Sequence, residues 1–215
     1  FLCIESTIET GRKIRMSFEI IDNIFQILVM FTTMCMAVVT AFRSRRKEFL
    51  MLAGGYGCFM MGTLYYVLCL IITGKVPQIF YVAEISWEAA YLFFLSVSLS
   101  RRKLLGRNPG IFTIIITVLT AGSIAGFKIM GPSPLFFVAF AVIQAVIVFR
   151  AAEGLREKGK YRCLDGMMFV IVWLQITVYI VSVFIRDYTR FNLYFGVDIT
   201  LTLMLAGMLP ALRKE

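Results

Sequence analysis

The sequence contains no histidine among its 215 residues. This absence excludes zinc sites that use histidine, serine–histidine nucleophile pairs and histidine proton relays. Its five cysteines form no CxxC pair, which leaves no redox or zinc motif of that type. We therefore expect no cofactor, no metal site and no catalytic residues of these classes.

Charge is also scarce, because charged residues make up 16% of the chain whereas soluble domains average about 25%. Hydrophobic residues reach 60%, and the mean hydropathy is +0.83. The apolar residues are grouped in blocks of about 17 to 25, the length at which a helix crosses a bilayer core. These features predict an all-α, multi-pass protein of the cell membrane, with the lipid bilayer as its surroundings.

Seven apolar blocks separated by Gly, Pro and charged residues predict seven transmembrane helices. Segment 1–16 precedes them, 17–210 forms the membrane domain, and 211–215 is a short tail. The predicted helices are 17–42, 49–73, 79–100, 110–130, 135–152, 163–185 and 191–210.

Basic residues are distributed unevenly between the two sides of this topology. The connections after helices 1, 3 and 5, together with the tail, carry 15 of the 22 basic residues. The positive-inside rule then places segment 1–16 outside and the tail in the cytoplasm. Basic charge in such short connections indicates contact with anionic lipid and, for a signalling protein, a cytoplasmic partner. It does not indicate a nucleic-acid partner.

Carboxylates inside transmembrane helices are costly, and they face a bundle interior or a wet cavity. Most of those in this chain fall in the outer half of their helices. At 1.5 Å per residue, Asp22 and Glu84 lie about 7 Å from the outer helix ends, Asp198 about 10 Å and Glu88 about 13 Å.

Helical spacing groups these acids with other polar side chains. Glu84, Glu88 and Tyr91 share one face of helix 3, and Asp198 shares a face of helix 7 with Tyr194 and Thr202. Glu19, Asp22 and Gln26 share a face of helix 1, and Gln175 and Tyr179 of helix 6 lie at similar depth. Three acidic faces at one depth predict a polar pocket that opens outward. Its predicted ligand-binding residues are Glu84, Glu88, Asp198, Asp22, Tyr91, Gln26 and Trp87.

A purely structural role for the same residues is the alternative. Glu19 can pair with Arg15, and Asp165 with Arg162 at the cytoplasmic edge. Either Glu84 or Asp198 can be protonated and hydrogen-bonded between helices, because burial disfavours the charged form. Trp87 can belong to the aromatic belt at the membrane surface. The outer cations available to neutralise Glu84 or Asp198 are Arg186, Arg190 and Lys128.

Two features bear on function. The inner halves of helices 1, 3 and 7 are apolar, which favours a receptor over a conduit. Helix 3 (EISWEAAYLFFLSVSLSRRK) and helix 7 (DITLTLMLAGMLPALRKE) each open with an acid, Ile and a hydroxyl residue and close with basic residues. That similarity allows a 3+1+3 parallel repeat of the kind found in some transporters.

The segment PQIFYVAEISWEAAYLFFL, with MGTLYYVLCLIITGK before it, covers about a fifth of the chain. It resembles the third-helix region of small uncharacterised seven-helix membrane proteins of anaerobic Gram-positive bacteria. The resemblance implies a bacterial membrane protein and no particular activity. The matching residues are Tyr81, Val82, Glu84, Ile85, Ser86, Trp87, Ala89, Tyr91, Leu92 and Phe93.

The function expected from the sequence is that of a seven-transmembrane receptor or sensor for a small polar, cationic ligand. The alternative is a small-solute transporter with a 3+1+3 repeat and a carboxylate-bound cation or proton. A second alternative is an intramembrane enzyme that uses two carboxylates as acid and base.

Overall fold

The computed structural model describes residues 18–73, 81–101, 109–128, 134–156, 162–185 and 187–215. Within these ranges the regular structure consists of seven α-helices, as predicted. Segment 1–16 and parts of the connections lie outside the described residues. The helices are α1 (Phe18–Ser44), α2 (Lys47–Thr73), α3 (Tyr81–Arg101), α4 (Ile111–Lys128), α5 (Pro134–Arg156), α6 (Arg162–Phe184) and α7 (Leu193–Arg213).

Two helices, α5 and α7, end three or four residues later than the apolar blocks indicate. Helix α5 continues to Arg156, because Ala151, Ala152 and Glu153 favour helix and the Glu153 carboxylate is hydrogen-bonded within the bundle. Helix α7 continues three residues past Pro210. Proline lacks one backbone donor, but its own backbone angle is compatible with a helix.

The helices form a ring of six with the seventh outside it. Around the ring the order of contact is α1, α2, α3, α5, α6, α7 and back to α1. Helix α4 packs against α5 and α6. The ring therefore consists of two three-helix halves, α1–α3 and α5–α7, which meet at an α1/α7 interface and an α3/α5 interface.

Contacts between helix ends show that the helices alternate in direction. At one end Arg213 of α7 donates to Thr40 of α1, and Glu153 of α5 accepts from the amide of Gly110 before α4. Arg101 of α3 pairs there with Glu215. We call this the basic end, since the connections predicted to be cytoplasmic lie there, and the opposite end the outer end.

Six of the helices are long and apolar enough to span a membrane, and the apolar part of α4, Ile111–Gly126, is shorter. Large apolar side chains cover the outward faces, with Ile111 and Phe112 of α4 exposed by 78% and 70%. In water such a surface would cause aggregation, whereas in a bilayer apolar side chains on the outward faces contact the lipid. The chain is a polytopic helical membrane protein.

Small residues on α2 allow α3 to approach closely, as is common between membrane helices. A Cβ atom at Gly62 would lie 2.8 Å from the indole nitrogen of Trp87, and one at Gly55 would lie 2.4 Å from Phe94. The α2–α3 contact therefore depends on glycine at these two positions, and it fixes Trp87 against α2.

Candidate functional site

A chain of hydrogen bonds crosses four helices in the outer half of the bundle. The Gln26 amide of α1 donates to the Asp198 carboxylate of α7 at 2.6 Å. Thr63 of α2 donates to the Gln26 oxygen at 3.5 Å, and the Trp87 indole of α3 donates to Thr63 at 3.4 Å. We call Asp22, Gln26, Thr63, Asp198 and Thr202 the first polar cluster. All five side chains are buried.

Asp22 is the least satisfied member of the first polar cluster. Its side chain is 2% exposed, and neither carboxylate oxygen accepts a hydrogen bond from any of the residues described. The group that it faces is the Asp198 carboxyl, which lies within hydrogen-bonding reach. Within the described part of the chain, no lysine or arginine forms an ion pair with either residue. Two acids therefore face each other without a basic partner.

Asp22, Gln26 and Asp198 lie together in the first polar cluster, and their side chains are buried. Packing of α1 against α7 closes the space between them. Glu19, one turn earlier on α1, accepts a hydrogen bond from the Tyr66 hydroxyl at 2.7 Å. Its predicted partner Arg15 lies outside the described residues.

A second group of polar side chains occupies the α3/α5 interface. The Tyr91 hydroxyl donates to Gln175 of α6 at 2.8 Å, and the buried amide of Gln144 of α5 lies beside it. Tyr179 is one turn along α6 from Gln175 and within hydrogen-bonding reach of it. We call Tyr91, Gln144, Gln175 and Tyr179 the second polar cluster.

The two glutamates of α3 are placed on the side of the second polar cluster. Glu84 and Glu88 are half-buried and lie within electrostatic reach of the Tyr179 hydroxyl. The rings of Tyr91 and Tyr179 each contact Phe140, with centroids 5.4 and 6.2 Å apart. Two carboxylates thus lie close to an aromatic group.

The seven predicted ligand residues are therefore divided between two interfaces. Asp22, Gln26 and Asp198 belong to the α1/α7 interface, and Trp87 joins them through Thr63. The other three, Glu84, Glu88 and Tyr91, lie toward the α3/α5 interface. Helical spacing shows which residues share a face of a helix, but it does not show which other helix packs against that face. The division between the two interfaces could therefore not be predicted from the sequence.

One of the three cations proposed as alternative partners lies among the described residues. Arg190 is exposed, and the Asp198 carboxylate accepts from Gln26. Arg186 and the Lys128 side chain lie outside the described residues.

The connection between α6 and α7 closes the outer end. The Thr189 carbonyl accepts from the Phe18 amide at 3.2 Å, which ties α1 to this connection. Asp187 accepts from the amide and hydroxyl of Thr189, and these two hydrogen bonds hold the pKa of Asp187 below its usual value. Partial burial raises the pKa of the Tyr188 hydroxyl, and the nearby Glu19 charge adds to the shift.

Buried charges at the basic end were missed by the sequence analysis, which assigned them to exposed connections. Arg101 and Glu215 form an ion pair with both side chains 3% exposed, and Glu215 also accepts from the Leu164 amide. Glu153, 2% exposed, accepts from Gly110 and Thr113 and pairs with Arg156. The sequence contained a signal that α5 continues into this charged segment, because the residues Arg150, Glu153 and Arg156 recur at helical spacing.

Asp165 was expected to be an interfacial residue. It is 3% exposed in the first turn of α6, which is more buried than a membrane-surface position implies.

A separate groove of about 390 Å³ lies between α4 and α5. Alanine and valine side chains dominate its lining, which suits apolar groups such as lipid chains rather than a polar ligand. Its lining includes Thr117, Ala121, Ala141, Ala145 and Phe149.

No protein-family model matches the chain, and no curated protein or solved structure matches it significantly. The predicted resemblance of the helix 2–3 region stays a prediction, and function must be argued from the geometry of the bundle.

Proposed function

We propose that this protein is a membrane receptor that binds a small cationic ligand in its outer half and signals by a change in helix packing. The observation that carries the proposal is the position of the acids. Asp22 and Asp198 lie at the α1/α7 interface, and Glu84 and Glu88 lie toward the α3/α5 interface. These are the two places where the three-helix halves meet, so a cation bound at either one changes how the halves pack.

The surroundings of Glu84 and Glu88 suit an organic ammonium ion. Carboxylates supply the opposite charge, and the faces of tyrosine and phenylalanine attract a cation through their quadrupoles. The amides of Gln144 and Gln175 add hydrogen-bonding groups in a mostly apolar setting, which is typical of small-molecule sites. We assign the ligand contact to Glu84, Glu88 and Tyr91.

Packing below the polar clusters favours signalling over passage. Met30, Tyr56, Phe94 and Leu205 are fully or almost fully buried there, and the Tyr56 hydroxyl donates to the Leu205 carbonyl at 2.8 Å. A core of this kind transmits a shift between packed helices, because interiors are dense and deform little. The basic end then presents the change to a cytoplasmic partner.

Binding is tested with the purified protein in lipid nanodiscs. Tetramethylammonium, ethanolammonium and putrescine are titrated while tryptophan fluorescence is followed, since Trp87 is next to Glu88 in α3 and donates a hydrogen bond to Thr63 of the first polar cluster. We expect saturable binding of at least one compound and an affinity loss of about tenfold or more, equivalent to about 1.4 kcal/mol, in Glu84→Gln or Glu88→Gln. Glu48→Gln, at the start of α2, is the control. Absence of saturable binding for all three compounds, or equal binding by the Glu84 and Glu88 variants, would contradict the proposal.

Transport is the second candidate, and the order of helices in the ring favours it. Two three-helix halves with α4 outside the ring match the arrangement expected for a 3+1+3 repeat, in which rocking of the halves gives alternating access. Proteoliposomes loaded with the compound that binds distinguish the two functions. Counterflow above that of empty liposomes, abolished by Glu84→Gln, would establish a transporter, whereas binding without flux supports the receptor.

A further inference from the structure

We propose that Asp22 and Asp198 form a binding site for one Na⁺ ion at the α1/α7 interface, separate from the organic ligand site. The proposal does not rest on the receptor function, because it concerns how two buried acids are neutralised. Its starting point is Asp22, a buried acid whose oxygens accept no hydrogen bond from an amide, a hydroxyl or a basic group among the described residues and whose neighbour is the Asp198 carboxyl.

Two buried acids at this position have to be neutralised by protons or by a bound cation. Two carboxylates enclosed in a low-dielectric bundle repel each other, and each loses its hydration. The hydrogen bond from Gln26 to Asp198 satisfies one oxygen but supplies no charge. A shared proton removes one negative charge, and a bound monovalent cation removes the second. The pair is then neutral.

The oxygens available fit a small monovalent ion better than a divalent one. They are the two oxygens of Asp22, the Asp198 oxygen that does not accept from Gln26, and the hydroxyl of Thr202 one turn further along α7. The Thr202 hydroxyl is fully buried and accepts and donates no hydrogen bond among the residues described. Ca²⁺ requires about 6–8 oxygen ligands, and Mg²⁺ keeps several waters, which an enclosed site does not admit.

Protons compete with Na⁺ for these acids, and neighbouring groups do little to alter the competition. The groups of α1 and α2 that face the pair are Gln26 and Thr63, which are uncharged. Among the described residues, the titratable groups within electrostatic reach are the Tyr194 and Tyr91 hydroxyls, which are neutral at physiological pH, and the acid one turn earlier on α1, Glu19, is hydrogen-bonded by Tyr66. Lower pH should therefore weaken Na⁺ binding through Asp22 and Asp198 themselves.

The test is equilibrium binding of radiolabelled Na⁺ to the protein in nanodiscs, with N-methylglucamine keeping the ionic strength constant. We expect saturable binding at alkaline pH that weakens by about tenfold or more at acidic pH. Binding should be lost in Asp22→Asn and in Asp198→Asn. It should be retained in Glu84→Gln, so that failure of this proposal and failure of the receptor proposal give different results.

A second measurement covers the case in which the Asn variants fold poorly. Na⁺ at about 100 times its dissociation constant should raise the melting temperature of the unmodified protein by roughly 5 °C relative to N-methylglucamine. The proposal is wrong if Na⁺ neither binds saturably nor stabilises the protein, if Ca²⁺ stabilises it in place of Na⁺, or if folded Asp22→Asn binds Na⁺ unchanged.

Discussion

The basic end and the outer half of the bundle both bury charge, but they neutralise it differently. At the basic end Glu153 accepts hydrogen bonds from Gly110 and Thr113 and pairs with Arg156. In the outer half Asp22 and Asp198 have each other and an amide. Charges of the first kind hold helix ends together, whereas charges of the second kind have no basic partner among the described residues, and for these we propose an external cation.

This difference separates structural from functional acids better than burial does. Glu153 and Asp22 are each 2% exposed, so exposure alone treats them alike. Their partners distinguish them, because a buried acid with donors and a basic residue is self-sufficient. The predictions below test this distinction, beginning with the largest effect.

Replacing Glu153 should destabilise the protein most. Glu153→Ala leaves the Gly110 amide and the Thr113 hydroxyl without their acceptor and removes the partner of Arg156. Leaving a buried donor without its acceptor typically costs about 1–3 kcal/mol, and two donors are affected, whereas the half-exposed Arg156 side chain adds little. Thermal unfolding in nanodiscs measures the change.

Glu48→Ala is the matched control for Glu153→Ala. Glu48 pairs with Arg46 at 3.7 Å near the surface, with side chains 18% and 36% exposed, and such pairs contribute about 0–1 kcal/mol. Equal losses in the two variants would show that the Glu153 contacts contribute no more than a surface pair.

Gly62→Ala tests the close contact between α2 and α3 that places Trp87 against the first polar cluster. The added Cβ would lie 2.8 Å from the Trp87 indole nitrogen and 3.0 Å from the Ala83 carbonyl oxygen, so α3 or Trp87 must shift. Overpacking of this kind costs about 1–3 kcal/mol. Gly122→Ala on α4 is the control, because its Cβ would meet nothing within 4 Å. Equal melting temperatures of Gly62→Ala and Gly122→Ala would contradict the close contact between Gly62 and Trp87.

Asp22→Asn should change the free energy of unfolding in the opposite direction from Glu153→Ala. It removes one of two unneutralised acids, so in Na⁺-free buffer at alkaline pH we expect a gain of about 1 kcal/mol in unfolding free energy. The gain should vanish when Na⁺ is added, since the unmodified protein is then neutralised. A large loss of stability in Na⁺-free buffer would place Asp22 with the structural acids.

The smallest effect concerns an acid outside the membrane-spanning segments. Thr189→Ala removes the hydroxyl that donates to Asp187 and should raise the pKa of that carboxyl toward its ordinary value of 3.8. Because the folded pKa is lowered, the stabilisation is present above the ordinary value and is lost as the pH falls through the folded value. NMR titration of Asp187 measures the shift, and an unchanged pKa would contradict the assigned hydrogen bonds.

Sequence reasoning predicted the elements of the fold well because lipid imposes a strict length and polarity on each helix. All seven predicted helices exist, and their ends agree to within four residues. The largest difference, the last turn of α5, arises because Glu153 is buried there and accepts hydrogen bonds from Gly110 and Thr113. The assignment of segment 1–16 to the outside stays a prediction.

From the sequence, the candidate site could be predicted only as a set of helix faces that carry polar side chains. The positions of Asp22, Gln26 and Asp198 on their helices predicted a shared depth, and the structure brings them together. Which helices are neighbours depends on packing details such as Gly62 beneath Trp87, which carry no distinctive sequence pattern. Tyr91 was assigned to one pocket with Asp198; its hydroxyl donates to Gln175 and lies within electrostatic reach of Asp198.

The central claim is that Asp22 and Asp198 are neutralised by a proton and a cation from outside the chain. Infrared difference spectroscopy on exchanging N-methylglucamine for Na⁺ at constant alkaline pH tests it most directly. The account predicts a change in the carboxyl bands of the unmodified protein that is missing in Asp22→Asn and present in Glu84→Gln. Identical carboxyl bands with and without Na⁺ in the unmodified protein would contradict it.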